Sequence, residues 1–296
     1  MAPSVLYQLL WNGLAAGSIF AIVSLGFALI YYTTRTLHLA HGIIYTISGY
    51  LFFSAITSLQ LPILIAGLIG ITGAVCVGVL TELLIYRPLF KRNAPAAIPL
   101  IASLGVYIIL QNLLALLFGN HTRILNAHGA EAYVFGEVVL SRIQVLGFAS
   151  LVLVALSYYL TVKYTRFGKT LKAISSNTVL AEVIGIDIKR YRLIVFALGS
   201  ALAGVGAILS LSDVGTDPNV GFSAVLIAIV AIIIGGVGNF GGAILGGLLL
   251  GLLHSFSSWV LSSKWQSVVV FLILTAFLLF RPEGILGVKG RLEEKA

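Results

Sequence analysis

The chain has 296 residues, of which 59% are hydrophobic and only 9% are charged, and its formal net charge is +8. Soluble domains carry about 25% charged residues, so this chain has too few polar side chains to cover a surface that faces water. The composition excludes an ordinary soluble domain and predicts a protein that crosses a membrane several times.

Apolar segments long enough to cross a bilayer, about 20 residues each, follow one another along the chain. In order they are 5–32, 43–59, 63–86, 97–118, 144–162, 193–212 and 266–280. A further apolar stretch, 222–254, would be about 50 Å long as one helix, so we expect two helices, 222–234 and 239–254. The predicted fold is all-α, a polytopic membrane protein of about eight or nine transmembrane helices in a single domain, 1–296.

Lysine and arginine are distributed unevenly among the connections. Fifteen of the 18 lie in 33–42, 87–96, 163–192 and the tail from Arg281. Cytoplasmic loops are enriched in these residues, so we place these segments in the cytoplasm, with the N-terminus outside and the C-terminus inside. Nine crossings satisfy this arrangement, and so do seven if 222–254 is a re-entrant hairpin from the outside. Because the cations gather at one membrane face, we do not expect nucleic-acid binding.

The stretch GGVGNFGGAILGG, 235–247, contains the pattern G-x-G-x-x-G at Gly236, Gly238 and Gly241. A dinucleotide site also needs an acidic residue about 20 positions further on to bind the ribose. The next acidic residue is Glu283, beyond another apolar run. We therefore predict that no nucleotide binds here.

In a membrane the same glycines predict close helix packing and a helix break. Gly238, Gly242 and Gly246 recur every four residues, which gives a smooth helix face, and Gly235 and Gly236 with Asn239 offer a place to break the helix. Non-helical backbone at membrane depth must be buried in protein or line a cavity. Two interpretations stay open, namely packing alone and a break beside a substrate pathway.

Residues that could perform chemistry are scarce. No acidic residue lies in the middle of a predicted span, which argues against an ion-coupled carrier. The sequence contains no P-loop, no H-E-x-x-H and no nucleophile elbow, and its single cysteine, Cys76, excludes a disulfide framework and a thiolate metal site. We predict that the chain is not an enzyme and holds no cofactor or metal.

The connection 163–192 is too long for a simple turn, and from Gly168 to Gly185 it predicts one amphipathic helix. One face would carry Leu171, Ile174, Thr178 and Ala181, and another would carry Lys169, Lys172 and Ser176. The helix could lie on anionic lipid headgroups or form a docking surface for a cytoplasmic partner. The small residues Ala173 and Ala181 suit close approach by another protein.

Two polar residues in the spans have alternative interpretations. His41, in HLAHGIIYTISGY (38–50), begins a span and is either a satisfied interfacial residue or part of a gate or pathway, together with Tyr45. Asn12 lies in the first span beside Gly13. An amide there usually bonds across helices, and the alternative is that it lines the pathway.

Nine short motifs are spread over nearly the whole chain. They are N-G-x-x-x-G-S at 12–18, L-A-H-G at 39–42, Y-R-P-L at 86–89, S-x-G-x-x-I-x-L-Q-N at 103–112, R-F-G-K-T-L-K-A-I at 166–174, A-E-V-I-G-I at 181–186, D-P-N-V-G-F at 217–222, the glycine stretch at 235–247 and R-P-E-G-I-L-G at 281–287. Together they closely resemble the inner-membrane permease subunits of branched-chain amino acid ABC importers, whose relatives also carry urea and short amides. One difference is Ile43, where that family usually has an acidic residue.

The resemblance implies a permease of a binding-protein-dependent ABC importer in the plasma (inner) membrane of a prokaryote. Its substrate would be a branched-chain amino acid, or alternatively urea or a short amide. The implied partners are ATP-binding cassette subunits that hydrolyse ATP, a second permease that is homologous or identical, a soluble substrate-binding protein and membrane lipid. A stand-alone secondary transporter is the alternative function, and it would use an ion gradient instead of ATP.

The resemblance also assigns roles to residues of this chain. Those implied to couple the permease to the ATPase are Arg166, Gly168, Lys169, Ala173, Asn177, Ala181, Gly185 and Ile186. Those expected to line or gate the pathway are Asn12, His41, Tyr45, Gly235, Gly236, Gly238 and Asn239, and Gly242 and Gly246 are expected to serve helix packing.

Overall fold

The computed structural model describes residues 3–125 and 132–287. Its first half consists of α1 (Pro3–Thr34), α2 (Ala40–Thr57), α3 (Ile63–Thr81), a π-helical turn (Glu82–Tyr86), α4 (Arg87–Lys91) and α5 (Ala97–Phe118). A β-hairpin follows, with strands β1 (Ala132–Phe135) and β2 (Val138–Ser141). Its second half consists of α6 (Arg142–Tyr164), α7 (Arg166–Ser176), α8 (Thr178–Val183), α9 (Ile188–Val214), α10 (Val220–Gly235), α11 (Phe240–Val260), a 3₁₀ turn (Ser263–Trp265) and α12 (Gln266–Phe280).

Within the described ranges, six helical segments are long and apolar enough to cross a bilayer. They are α1, the continuous helix 63–91, α5, α6, α9 and α11, and α10 and α12 are shorter apolar helices. The polytopic all-α prediction is therefore confirmed, and the bounds of α5 and α12 are those expected from the sequence. α9 and α11 are longer than predicted, because the segments 188–192 and 255–260, which are rich in polar residues, continue the two helices.

α1 is the central helix of the bundle. In its most apolar part 78% of the residues are buried, against 17% in α5 and 11% in α6. Val23 and Phe27 of α1 share one core cluster with Ala203 of α9 and Ala228 of α10. α5 and α6 thus leave most of their apolar surface for lipid or for other proteins.

Hydrogen bonds show which helix ends lie together. At one end, which we call the basic end, His38 after α1 meets Tyr86 at 2.8 Å, and Ile285 after α12 donates its N–H to Ile234 near the end of α10 at 2.8 Å. At the other end, the far end, Ser255 of α11 donates to the carbonyl of Leu9 in α1 at 2.8 Å. The basic end contains the connections in which the sequence concentrates its lysines and arginines.

The hairpin β1–β2 is a feature that the hydropathy pattern did not predict. It turns at Gly136, whose φ is +63°, and leads directly into α6, where Ser141 forms a capping box with Gln144. Gln8 of α1 fastens it, since its amide group donates to the carbonyl of Val139 and accepts from the N–H of Val139, both at 2.9 Å. The hairpin therefore lies at the far end.

Candidate functional site

The glycine stretch forms a tight turn between two helices. α10 ends at Gly235 and α11 begins at Phe240, so the expected helix break is confirmed. Gly236 and Gly238 have φ values of +108° and +96°, which L side chains rarely adopt. Asn239 caps α11, because its Oδ1 accepts from the N–H of Gly242 at 3.3 Å.

The segment after α12, residues 281–287, closes over this turn, and we call it the C-terminal clasp. The N–H of Leu286 donates to the carbonyl of Gly235 at 2.9 Å, and the amide of Asn239 donates to the carbonyl of Leu286 at 3.2 Å. A Cβ atom on Gly284 would lie 2.5 Å from the Cα atom of Gly236, so only glycine fits there. The motif R-P-E-G-I-L-G thus folds onto GGVGN.

The turn lies at the basic end of the bundle. The hydroxyl of Tyr32, two residues before the end of α1, donates to the carbonyl of Asn239 at 3.2 Å. α10 begins beside Gln111 of α5, which bonds to Asn219, and its first turn packs against the first turn of α2 at Gly42. The turn at the other end of α10 lies beside the end of α1, so a re-entrant hairpin that turns inside the bundle does not match the structure.

Two glycine faces of α11 pack against two different helices. A Cβ atom on Gly242 would lie 2.4 Å from the carbonyl oxygen of Gly235, and one on Gly246 would lie 2.0 Å from that of Ala231, both in α10. Gly247 and Gly251 face α1, where a Cβ atom would lie 2.5 Å from the Cα of Ala21 and 2.2 Å from the Cα of Gly17 respectively. These backbones therefore touch directly, as close packing in lipid requires.

Gly238 does not share this packing face. It lies in the non-helical turn, and a Cβ atom there would meet nothing within 4 Å. The expectation that Gly238 continues the four-residue glycine spacing is wrong, because the helix that would align the three glycines starts only at Phe240.

His41 is fully buried, and so is its neighbour His38. Nε2 of His41 lies 3.3 Å from the carbonyl oxygen of Val23, and Nδ1 of His38 lies 2.8 Å from the hydroxyl of Tyr86. The second ring nitrogen of each histidine is buried without a hydrogen-bond partner among the described residues. His41 packs against α1, where the ring of Phe27 meets it edge-on, and its role as an interfacial or a pathway residue stays a prediction. Burial also lowers the pKa of His38 well below its usual value.

The other expected pathway residues of α1 and α2 are also held by the protein itself. Tyr45 lies one turn beyond His41 and packs in the core with Ala207 of α9. Asn12 accepts a hydrogen bond from Gln8 at 3.0 Å, so the bond expected across helices is made within α1 instead. Ile43 is fully buried in the α2–α5 contact with Tyr107, where an apolar side chain packs well.

A buried ion pair at the basic end was not predicted from the sequence. Nη2 of Arg192 donates to the carboxylate of Glu82 at 3.0 Å, with side-chain exposures of 11% and 1%. The guanidinium also lies 3.6 Å from the ring centre of Phe90. Glu82 begins the π-helical turn, a geometry frequent at functional sites. Only the fold brings these residues together, since 110 positions separate them.

Residues 166–186 form two short helices, so the single amphipathic helix predicted from the sequence is wrong. Asn177 breaks it with extended backbone at φ −150°, and its side chain caps α8 by accepting from the N–H of Leu180 at 2.9 Å. Leu171, Ile174 and Ala181 are buried as the expected face requires, but Thr178 is exposed. The break rotates α8 away from the face of α7.

The structure places the eight expected coupling residues in different surroundings. Arg166, Lys169, Asn177 and Gly185 are exposed, Ala173 and Ile186 are partly buried, and Gly168 and Ala181 are buried. A Cβ atom on Gly168 would lie 2.3 Å from the Cα of Val162, so α7 can fold back onto α6 only with glycine there. Gly185 has φ +89° and ends α8.

Four apolar side chains of this segment are exposed, and we call them the α8 patch. Val179 is 73% exposed, Leu180 58%, Val183 77% and Ile184 66%. This exposed face lies opposite the buried face that the sequence predicts as the contact surface. The signal that could have found the patch is the pair of apolar doublets, V-L and V-I, separated by Ala181 and Glu182.

A bundle of apolar helices joined by glycine contacts, with short helices at one basic end, is typical of a polytopic membrane protein. More particularly, the chain belongs to the family described as "Branched-chain amino acid transport system / permease component", which matches residues 9–278.

Relatives from bacteria and an archaeon cover almost the whole chain. The branched-chain amino acid transport system permease protein BraD of Pseudomonas aeruginosa is 35% identical over 294 residues, which is 95% of each chain. The corresponding protein LivH of Escherichia coli is 31% identical over 97% of this chain and 98% of its own. A probable LivH of Methanocaldococcus jannaschii is 30% identical over 95% of this chain and 92% of its own.

The fold is also similar to a solved structure. PsaBC from Streptococcus pneumoniae, in complex with Fab, aligns with a TM-score of 0.51 at 14% identity and covers 93% of both chains. At this identity the likeness shows the fold alone.

Proposed function

We propose that this permease moves branched-chain amino acids across the plasma membrane of a prokaryote, and that separate ATP-binding cassette subunits drive it. The substrate class is supported by the relatives, which are permease proteins of high-affinity branched-chain amino acid transport systems. The chain itself would then hydrolyse no ATP. It would form the pathway, and conformational changes of the ATPase subunits would be transmitted to it.

The observation that carries this proposal is the α8 patch. Its four side chains are more than half exposed, and they lie among basic connections at the membrane surface. Apolar area left in water costs about 25 cal/mol per Å², and an exposed apolar patch of this kind marks a contact surface. An ATPase subunit that covers the α8 patch would contact the exposed side of α8. The buried side of α8 packs against the bundle through Ala181.

The basic end is proposed to face the cytoplasm. It holds Arg35, Arg87, Lys169 and Arg281, and cytoplasmic connections collect lysine and arginine. α1 runs from the far end to the basic end, so the N-terminus would lie outside. The ATPase surface and the C-terminal clasp would then share the cytoplasmic side, where ATP is available.

A second permease, homologous or identical, is proposed to cover α5. Gln111 and Asn112 lie about two turns from the end of this helix, and Asn112 is exposed. Exposed amides are costly against hydrocarbon, so a water-filled pathway between two permeases suits them better than lipid.

The other expected pathway residues would lie along this pathway at different depths. His41 and Tyr45 would support it from inside the bundle, and Asn12 would lie near its outer opening. The turn formed by Gly235, Gly236, Gly238 and Asn239 would lie near its cytoplasmic exit.

A soluble binding protein is proposed to deliver substrate to the far end. The surface available there consists of 119–125, the hairpin up to residue 143 and the turn 213–221. Two backbone hydrogen bonds between Arg123 and Thr216, of 2.7 Å and 2.9 Å, join 119–125 to the turn 213–221. Residues 126–131 of the same connection lie outside the described residues.

Uptake by proteoliposomes tests the proposal. The purified complex of the chain with its co-expressed subunits and binding protein should accumulate radiolabelled leucine when ATP is supplied to the ATPase side. Unlabelled isoleucine and valine should compete, and urea or acetamide at the same concentration should not. If acetamide competed and isoleucine did not, the proposed substrate would be a short amide instead of a branched-chain amino acid.

The same vesicles distinguish an ABC permease from a secondary transporter. The chain alone, under a proton or sodium gradient and without ATP, should move no leucine. Gradient-driven uptake by the chain alone would overturn the proposal, whereas ATP-driven uptake that needs all subunits would support it.

A further inference from the structure

A pocket of about 530 Å³ lies where α6, α7 and the first turn of α11 meet. Its polar rim carries three lysines, Lys163 of α6 and Lys169 and Lys172 of α7. Its wall includes Val162 of α6 and Gly241 of α11. Neither the packing of the bundle nor the α8 patch accounts for this pocket.

The charge of the pocket selects an anion. Among its described lining residues there are three ammonium groups and no carboxylate. Lys163 is held in place, because its Nζ donates to the hydroxyl of Tyr159 at 2.7 Å and lies 5.3 Å from the ring centre of Tyr164. The positive end of the α11 dipole adds to this field through Gly241.

The depth of the pocket distinguishes a lipid from a soluble anion. Ala155 lines it nine residues before the end of α6, so the pocket reaches about 14 Å along that helix. This inner part is apolar, with Ala155 and Ile244 in its wall. Beyond it Val152 and Leu156 continue an exposed apolar surface of α6. A cationic rim above an apolar groove matches a phosphate headgroup attached to acyl chains.

We propose that this pocket binds an anionic phospholipid, whose phosphate lies among Lys163, Lys169 and Lys172 and whose acyl chain follows α6. The bound lipid would bridge α6 and α7 and so hold the segment that carries the α8 patch against the bundle. The proposal does not depend on the transported substrate. An ATPase subunit that needs the same lysines would compete with the lipid, and this is a separate outcome of the test.

Native mass spectrometry of the full complex measures the binding. The complex in neutral detergent is titrated with dioleoylphosphatidylglycerol or with dioleoylphosphatidylcholine. The variant Lys163→Gln/Lys172→Gln removes two rim charges, and Lys91→Gln/Lys189→Gln removes two charges of the same basic end outside the pocket. Soluble glycerol 3-phosphate serves as the competitor without acyl chains.

We expect phosphatidylglycerol to bind more tightly than phosphatidylcholine and the pocket variant to lose about fivefold in affinity per lysine, roughly 25-fold for the two. The matched variant should stay within about twofold of the unmodified complex. Equal binding of the two lipids, or equal losses in the two variants, would overturn the proposal. Displacement by glycerol 3-phosphate at equal concentration would overturn the proposal in favour of a soluble-anion site. In a parallel sample stripped of the ATPase subunits, lipid binding that the full complex lacks would overturn it in favour of a protein contact.

Discussion

The N–H of Leu286 donates to the carbonyl oxygen of Gly235 at 2.9 Å, so the segment after the last helix closes the turn between α10 and α11. This bond joins two motifs that are about 50 positions apart in the sequence. Asn239 adds a second connection, because its side chain caps α11 and also donates to the carbonyl of Leu286. The glycine turn is therefore a structural junction of three chain segments at the basic end.

Replacing Asn239 by alanine should weaken this junction. The variant loses the cap of α11 and the bond to Leu286, and loss of such a cap costs about 1 kcal/mol, up to 2. We expect the unfolding temperature in detergent to fall by several degrees. Asn112→Ala is the matched control, because among the described residues its amide bonds to the carbonyl of Ile108 in its own helix, and it should change the unfolding temperature little.

A methyl group on Gly242 should separate α10 from α11. The added Cβ atom would lie 2.4 Å from the carbonyl oxygen of Gly235, and such overpacking costs about 1–3 kcal/mol. Gly242→Ala should therefore reduce the yield of monodisperse protein and its unfolding temperature. Gly67→Ala, where the new methyl meets nothing within 4 Å, should be neutral or slightly stabilising. Equal behaviour of the two variants would show that the α10–α11 contact tolerates a side chain.

Single and double substitutions of Glu82 and Arg192 should be strongly non-additive. Removing one partner leaves a buried, unpaired charge, which costs about 3–5 kcal/mol, whereas apolar replacement of both is often neutral. We expect Glu82→Met and Arg192→Met each to lower the unfolding temperature sharply, and the double variant to recover most of the loss. A double variant as unstable as the sum of the single ones would mean that the pair acts as two independent contacts.

Much of the fold could be predicted, because the hydropathy of a segment depends only on its own residues. The lengths of the apolar runs predicted the bounds of α5 and α12, and an apolar run too long for one helix predicted the break at the glycines. The direction of α8 could not be predicted, since it depends on the extended backbone of Asn177. The Glu82–Arg192 pair and the contact of Gly247 with Ala21 arise from distant segments, and no local pattern in a single sequence encodes them.

His38 should make the stability of the protein depend on pH. Its pKa is lowered in the folded state by burial, while in the unfolded chain it is near 6.5. Below about pH 6.5 the unfolded state therefore binds more protons than the folded state, and the free energy of unfolding decreases as the pH falls.

His38→Gln removes this difference in proton binding. The unfolding temperature of the variant, measured between pH 8 and pH 5, should depend on pH less steeply than that of the unmodified protein. His121→Gln, at an exposed position of the far end, is the control and should keep the original slope. An unchanged slope in His38→Gln would show that His38 contributes nothing to the pH dependence.

The most direct test of the account is ATP-driven uptake by complexes in which the α8 patch is altered. Val179→Asp/Val183→Asp places two carboxylates on exposed positions, 73% and 77% exposed, so the permease should fold and reach the membrane as before. Leucine uptake in proteoliposomes should fall at least tenfold, and the ATPase subunits should separate from the permease during purification. The control Leu59→Asp, an exposed apolar residue between α2 and α3, should transport normally. Full ATP-driven uptake by the α8 variant, with the ATPase still bound, would contradict the assignment of this patch as the surface through which the permease is driven.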